Sequence, residues 1–505
     1  MTLSLCVLAL ALIGWGYYRA RPFGKLGRLA WLQSVVLMSP WVVVFALLSV
    51  GVVVNFASIL ALIILSIAGY IWLGKNLRSE AERQGVSPGV RFGIPADVSK
   101  ADVPITTAEA ADRSETDSLK PVAVSNEPQP VPSDDLAKMR GIFGIDTFFA
   151  TETIPYQDGV IFKGNLRGEI ETSHRELTRL LSGAVGDRYR LFLVNDQEQR
   201  PVVIVLPSRN DPQPMTLVQK GFAVLLAIGT LLTCLTSAAF LKGFDLFSQP
   251  NQIAAALPIG LGLFSVLVCH ELAHQWMAKR HGVKFSLPFF FPTIQIGSFG
   301  ALNRFESLIP KRSVLFDVAF AGPAVSGLIS FVLVFIGLSL SRADVGLAES
   351  TSLLSFPTPL FQGSILVGGL ARVFFGEALR NEFVAVHPTF IVGWIGLVIT
   401  AINLIPAGQL DGGRMVQAVY GRKVAGRTTV ISIILLAVAA LVNPLALYWA
   451  IIILFLQRDL ERPTLNDLLE PDDTRALIGL SALLLMVLVL IPLSPGLAFR
   501  LGIGM

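Results

Sequence analysis

Apolar runs too long for a soluble core recur along this 505-residue chain, at residues 3–18, 31–73, 217–241, 253–277, 313–340, 389–405, 428–456 and 475–493. A run of roughly 18 or more apolar residues crosses a bilayer as a helix, because hydrocarbon offers no partner to an open backbone polar group. The run at 31–73 would be about 64 Å long as one helix, about twice a bilayer core, so a hairpin turning near Asn55 is expected. The fold class that follows is an all-α polytopic membrane protein of about eight to ten transmembrane helices.

Composition agrees. The chain is 53% hydrophobic and 15% charged, against roughly 45–50% and 25% in soluble domains. Its net charge of +4 needs no nucleic-acid partner. Arg19, Arg21, Lys25 and Arg28, and later Lys279, Arg280 and Lys284, flank apolar runs as cytoplasmic loops do. The three cysteines, Cys6, Cys234 and Cys269, all lie in apolar runs, which excludes a disulfide framework and a cysteine zinc site. Residues 2–18 are apolar from the start, so a retained span is expected there, not a Ser/Arg-rich transit peptide.

Four regions follow. Residues 1–73 are N-terminal transmembrane segments. Residues 74–132, rich in Ser, Asp, Glu, Ala and Pro without apolar periodicity, form a disordered linker. Residues 133–208 form a small α+β soluble domain: a helix from Ser133, a strand at 159–164, an amphipathic helix at 171–181, and strands at 189–194 and 202–206. His174 on that helix reads as a solvated residue. Gly164-Asn165-Leu166-Arg167-Gly168 reads equally as an ordinary loop or as a shaped turn that contacts a partner. Residues 217–494 form the intramembrane domain.

Two stretches of that last domain carry chemistry. The first is His270-Glu271-Leu272-Ala273-His274, at the end of an apolar run. Histidines at i and i+4 share a helix face and suit one metal ion, and Glu271 between them can accept a proton from water activated there. Ionisable groups at membrane depth are costly and mark function. The second is Asn403-Leu404-Ile405-Pro406-Ala407-Gly408-Gln409-Leu410-Asp411-Gly412-Gly413-Arg414. Pro406 ends a helix, and the glycines permit tight turns. A catalytic zinc takes three protein ligands and leaves a position for water. His270, His274 and Asp411 are the expected ligands, with Asp317 the main rival for the third place. His281 and Glu377 are weaker candidates. Glu271 is the expected proton acceptor, and Asn403 with nearby backbone N–H groups the expected donor to a developing oxyanion.

Residues 286–307 are apolar but broken by Pro288 and Pro292, and 293–299 alternate like a strand. A re-entrant β-hairpin bordering the active site is expected, since non-helical backbone at membrane depth must be buried or line a wet cavity. Its edge could hold an unwound substrate by strand addition through Ile294 and Ile296.

Together these residues resemble the site-2 protease family of intramembrane zinc metalloproteases. The carrying motifs are His270-Glu271-x-x-His274 and Asn403-x-x-Pro406-x-x-x-Leu410-Asp411-Gly412. Gly164-Asn165-Leu166-Arg167, Pro288-Phe289-Phe290-Phe291-Pro292, Gly297-Ser298-Phe299-Gly300-Ala301 and Phe361-Gln362-Gly363-Ser364 are similar to its EGY branch, of plastids and cyanobacteria. The resemblance runs over about residues 133–492 and leaves residues 1–73 outside. It implies zinc ligation by His270, His274 and Asp411, acid/base catalysis by Glu271, and no PDZ insertion. It further implies transmembrane protein substrates in a bilayer, cleaved near the cytoplasmic face of a cyanobacterial plasma or thylakoid membrane. The alternatives are a proteolytically inactive, chaperone-like binding protein that retains the fold, and a metal transporter. The intact zinc motif argues against the first, and the lack of polar residues spaced through several spans argues against the second.

Overall fold

A computed structural model describes residues 131–503 apart from 157, 197, 344–352, 441–442 and 455–458, and before 131 only scattered positions between 17 and 76. The expected spans at 3–18 and 31–73 and the linker at 74–132 therefore lie largely outside the described residues. Two compact units divide the chain, Met1–Asp117 and Ser118–Met505. Within the first, helical positions meet where Gln33 Nε2 donates to Tyr70 O at 3.3 Å and Ser66 Oγ to Val36 O at 2.5 Å.

The second unit begins with a helix and an antiparallel sheet. Helix α1 (Ser133–Arg140) is followed by β1 (Phe148–Tyr156), β2 (Gly159–Leu166), α2 (Ile170–Val185), β3 (Tyr189–Asn195) and β4 (Pro201–Pro207). The strand order is β1-β2-β4-β3. Leu177, Leu181 and Val185 of α2 pack on Phe148, Phe162, Leu193, Val203 and Val205, the one-sided burial that an amphipathic helix seeks. Strand β1 was not expected. A bulge between Ala150 and Glu152 breaks its alternation, and Pro155 reads as a stop; both suit the edge it occupies. The glycines of the 164–168 turn serve close packing: a Cβ on Gly164 would overlap Phe149 O, and one on Gly168 would crowd Asp146 O.

The opposite edge of this sheet is occupied. Leu193 N donates to Leu465 O at 2.8 Å, and Asp467 N to Leu193 O at 2.9 Å. On its other side the same segment bonds to residues just before the next long helix, Leu465 N to Ile309 O at 2.9 Å and Asn466 N to Pro310 O at 3.0 Å. Residues 464–467 thus tie the sheet to the base of the helical domain. His174 lies in this seam. Its Nε2 is buried without a partner, and burial pushes its pKa below the usual histidine range. It is not the solvated residue that its charged sequence neighbours suggest.

The rest is mainly helical. Among the described residues four helices are long and apolar enough to cross a membrane: α3 (Leu217–Leu241), α4 (Ile253–Arg280, within the apolar stretch Pro250–Arg280), α5 (Arg312–Leu340) and, further on, Asp473–Leu490. Their outer faces display Leu225, Ile228, Leu328, Phe335 and Leu484 to the surroundings, as helices against lipid do and soluble surfaces do not. The chain is a polytopic membrane protein.

Between α4 and α5 lies a hairpin of β5 (Phe289–Thr293) and β6 (Gly297–Leu302). The expected strand at 293–299 is wrong: residues 294–296 are the turn. Gly297, at φ +87°, reverses the chain where Thr-Ile-Gln-Ile alternation suggested continuity. Helix α3 holds the turn through Thr233 Oγ1, which donates to Gly297 O at 2.6 Å, and Ser237 Oγ, which donates to Ile294 O at 2.6 Å.

After α5 come β6's successors β7 (Leu354–Pro357), α6 (Ile365–Phe375), β8 (Phe383–Val386), α7 (Pro388–Asn403), α8 (Asp411–Ala439), α9 (Pro444–Ile452) and α10 (Asp473–Leu490). His387 caps α7, its Nδ1 accepting from Thr389 N at 3.3 Å. Helix α8 breaks at Gly421 (φ +80°). Buried Arg312 receives the end of its first half, donating to Ala418 O and Val419 O at 2.7 Å each.

Candidate metal centre

Helix α4 carries His270 and His274 on one face, one turn apart. Both rings are buried. His274 Nδ1 lies 2.7 Å from Val318 O on α5. A carbonyl only accepts, so Nδ1 bears the proton and Nε2 presents its lone pair. His270 Nδ1 lies 2.9 Å from Ser326 Oγ. Thr400 Oγ1 donates to Gly396 O, so the Ser326 proton points to Gly322 O (3.0 Å) or to Thr400 Oγ1 (2.8 Å). Ser326 therefore accepts from His270, and here too Nε2 is the free lone pair. Helix α5 fixes both tautomers.

Asp411 reaches the pair from α8. The loop between α7 and α8 turns at Gly408 (φ +49°), and α8 then starts at Asp411, whose carboxylate suits a helix N-terminus. Gly412 follows because a Cβ there would overlap Leu404 O; the helix start lies directly on the loop that feeds it.

The three donor atoms form a nearly equilateral triangle. His270 Nε2 is 3.1 Å from His274 Nε2 and 3.2 Å from Asp411 Oδ2, and His274 Nε2 is 3.4 Å from Asp411 Oδ2. Tetrahedral zinc at about 2.0–2.2 Å from its ligands would set them roughly 3.3–3.5 Å apart. Two imidazole lone pairs and a carboxylate aimed at one buried point repel unless a cation lies between them. Among the described residues this is the one group of three or more His, Cys, Asp or Glu side chains close enough to hold a metal.

Asp317 is engaged elsewhere. Its carboxylate accepts from Arg475 Nε at 2.7 Å and Nη2 at 2.8 Å, and lies 3.1 Å from His281 Nε2. That pairing accounts for both residues without a metal. Glu377 is exposed between Arg372 and Arg380. Asn403 is buried at the end of α7; its Nδ2 donates to Ile399 O at 2.9 Å, and its amide packs over Gly300 of β6. It lies beside the hairpin and makes no hydrogen bond to the donor triangle.

Glu271 is buried as well, and Asn303, just past β6, donates to it from Nδ2 to Oε2 at 3.1 Å. Asn303 is gripped in turn by Arg414, which pairs with Glu461. Nothing in the sequence spacing marks these three. The only local signal is an arginine three residues into the helix that Asp411 begins.

Comparison with known proteins places these features in a family. Residues 259–443 match peptidase family M50, and residues 137–214 match the EGY3 middle domain. The chain is 38% identical over 370 residues to “Probable zinc metalloprotease EGY2, chloroplastic” of Arabidopsis thaliana, covering 72% of this chain and 65% of that protein. It is 33% identical over 440 residues to “Probable zinc metalloprotease EGY1, chloroplastic” of the same plant, covering 80% of each. An EGY3 zinc metallopeptidase of that plant is 32% identical over 387 residues, 72% of this chain and 66% of the relative. The chain thus spans about two thirds of the length of the EGY2 and EGY3 relatives. No solved structure matches it.

Proposed function

This chain belongs to peptidase family M50, among the EGY zinc metalloproteases, and from that premise we propose that it hydrolyses peptide bonds in or near transmembrane segments of membrane-protein substrates. The observation that carries the reading is the buried triangle of His270, His274 and Asp411, with both histidine tautomers set so that lone pairs point inward.

His270, His274 and Asp411 would hold the zinc. Bound there, zinc would bring the pKa of a water down toward about 7 and polarise the scissile carbonyl. The chain's own residues do the rest. Glu271 takes the proton of the attacking water and delivers it to the leaving amine. Asn403, its amide facing the glycine of β6, is the donor we assign to the substrate carbonyl. Strand β6, which among the described residues pairs with β5 alone, and not the turn at Ile294 and Ile296, holds the unwound stretch of substrate by strand addition. A helical substrate must open its own hydrogen-bond ladder before its carbonyl can be reached, and an unpaired strand edge offers replacement partners.

We assign residues 133–208 to the soluble domain, 217–494 to the protease domain, and about eight to ten spans to the whole chain. Lys279 and Arg280 in the last turn of α4, Lys284 just beyond it, and Arg422, Lys423 and Arg427 in α8 favour a cytoplasmic position for the nearby site. A plasma or thylakoid membrane of cyanobacterial type is the membrane we assign, in keeping with relatives named for the chloroplast.

The test is zinc content and cleavage of a membrane-embedded reporter by the purified full chain. Glu271→Gln should keep zinc and lose cleavage, whereas His274→Ala and Asp411→Ala should lose both. A wild-type protein that binds no zinc, or a Glu271→Gln protein that still cuts, would refute the reading.

A further inference from the structure

We propose that Asn303 and Arg414 are positioning residues for Glu271, and that Glu461 anchors Arg414. The proposal rests on the reading of Glu271 as the proton acceptor and adds what makes that residue competent.

A carboxylate that must accept a proton needs one oxygen held and the other aimed. Among the described residues Asn303 is the one side chain hydrogen-bonded to Glu271, through Oε2, leaving Oε1 for the reacting proton. An asparagine amide can face either way round, so the contact is worth little unless its orientation is set. Arg414 sets it. Guanidinium only donates, and Arg414 Nη1 donates to Asn303 Oδ1 at 2.6 Å while Nη2 donates to the Asn303 carbonyl at 2.8 Å. With Oδ1 committed to the cation, the NH2 end must face Glu271.

Arg414 is itself immobilised. It is only 1% exposed. Its Nε donates to Glu461 Oε2 at 3.0 Å, and the guanidinium lies 5.7 Å from the Phe285 ring centroid and 5.3 Å from that of Phe305. Burying an ion pair is costly, and such pairs are held where they specify one arrangement. Here the arrangement joins the first turn of the helix that carries Asp411 to the residue that holds Glu271. A mere clamp between α8 and β6 would need neither the bidentate grip on one asparagine nor that asparagine's donation to Glu271.

The experiment uses the full-length, zinc-loaded protein in liposomes with a membrane reporter substrate. Asn303→Ala should lower kcat about 10–100-fold, the usual range for residues that orient a metal site's working groups. KM and zinc content should stay at wild type, while the melting temperature should fall modestly, since Glu271 and Arg414 each lose a buried hydrogen-bond partner. Arg414→Lys should do the same by freeing the asparagine. The Asn303→Ala/Arg414→Lys double variant should be no slower than the slower single, because Arg414 acts through Asn303. Should Arg414→Lys fail to fold, Glu461→Gln paired with Asn303→Ala gives the same reading. Affinity for a peptidyl hydroxamate should weaken in Asn303→Ala at unchanged zinc content, a readout without turnover. Wild-type kcat in Asn303→Ala, with Glu271→Gln inactive, would overturn the positioning role alone, as would losses that multiply in the double variant. Cleavage by Glu271→Gln would instead overturn the assignment of Glu271, and this proposal with it.

Discussion

Gly322 of α5 faces the imidazole of His274 so closely that a Cβ added there would overlap the ring at Nε2, Cδ2 and Cε1. The glycine leaves room for the ring of His274, a proposed ligand, so the position tests the proposed metal site without altering a donor atom. Gly322→Ala should displace His274 and weaken zinc binding by about 10–100-fold, the range for residues that orient metal ligands. Zinc retained per protein against a graded chelator measures this, and wild-type retention would contradict it.

Asp317 and Asp411 should separate cleanly. Asp411→Asn removes a charged donor from the triangle and should cost zinc and cleavage together. Asp317→Asn breaks the pair with Arg475 and His281 and should leave zinc content unchanged. It should destabilise the protein by about 1–3 kcal/mol, as for a charged hydrogen bond that is partly buried. Thermal melting and metal analysis of the two variants side by side decide the matter.

Gly300 of β6 sits at φ +104° with Asn403 packed over it. Gly300→Ala should cost about 1–3 kcal/mol in backbone strain and push the amide aside. The expected result is slower cleavage at full zinc occupancy. Loss of zinc in this variant would place the hairpin in the metal site and not at the substrate edge.

His174 predicts a pH effect. Burial holds its pKa below the usual value, so the folded seam prefers the neutral ring. Above about pH 6.5 both folded and unfolded forms carry it neutral, and stability is full. As pH falls below that value and through the lowered one, the unfolded form takes up the proton first and stability declines. The protection factors of the Leu193 and Leu465 amides, with the intrinsic slowing of exchange at lower pH divided out, should fall in the wild type between about pH 7.5 and about pH 5. His174→Phe should flatten that dependence.

How much of this was legible beforehand depends on how local the cause is. The i, i+4 pair of His270 and His274 is readable because helix geometry alone puts both on one face. Asp411 is readable because an acid embedded in Gly408-Gln409-Leu410-Asp411-Gly412-Gly413 at the end of an apolar run has few other uses. The long helices are readable because the bilayer dictates their length. Asn303, Arg414 and Glu461 are not, since they lie 111 and 47 residues apart and meet only when β6, α8 and the following loop have packed. The 293–299 stretch misleads because a two-residue alternation is the same in a strand and in a turn that Gly297 closes. His174 misleads because its charged neighbours face outward while it faces a segment almost three hundred residues downstream.

The pairing of Arg414 with Glu461 also orders events during synthesis. The ribosome releases the histidines first, the aspartate next, and Glu461 only after another apolar stretch has left the tunnel. Until then the guanidinium lacks its counter-charge and the asparagine has no fixed orientation. On the proposed reading, a nascent chain released only as far as Asp411 would carry the donor triangle without the pairing that orients the asparagine beside Glu271.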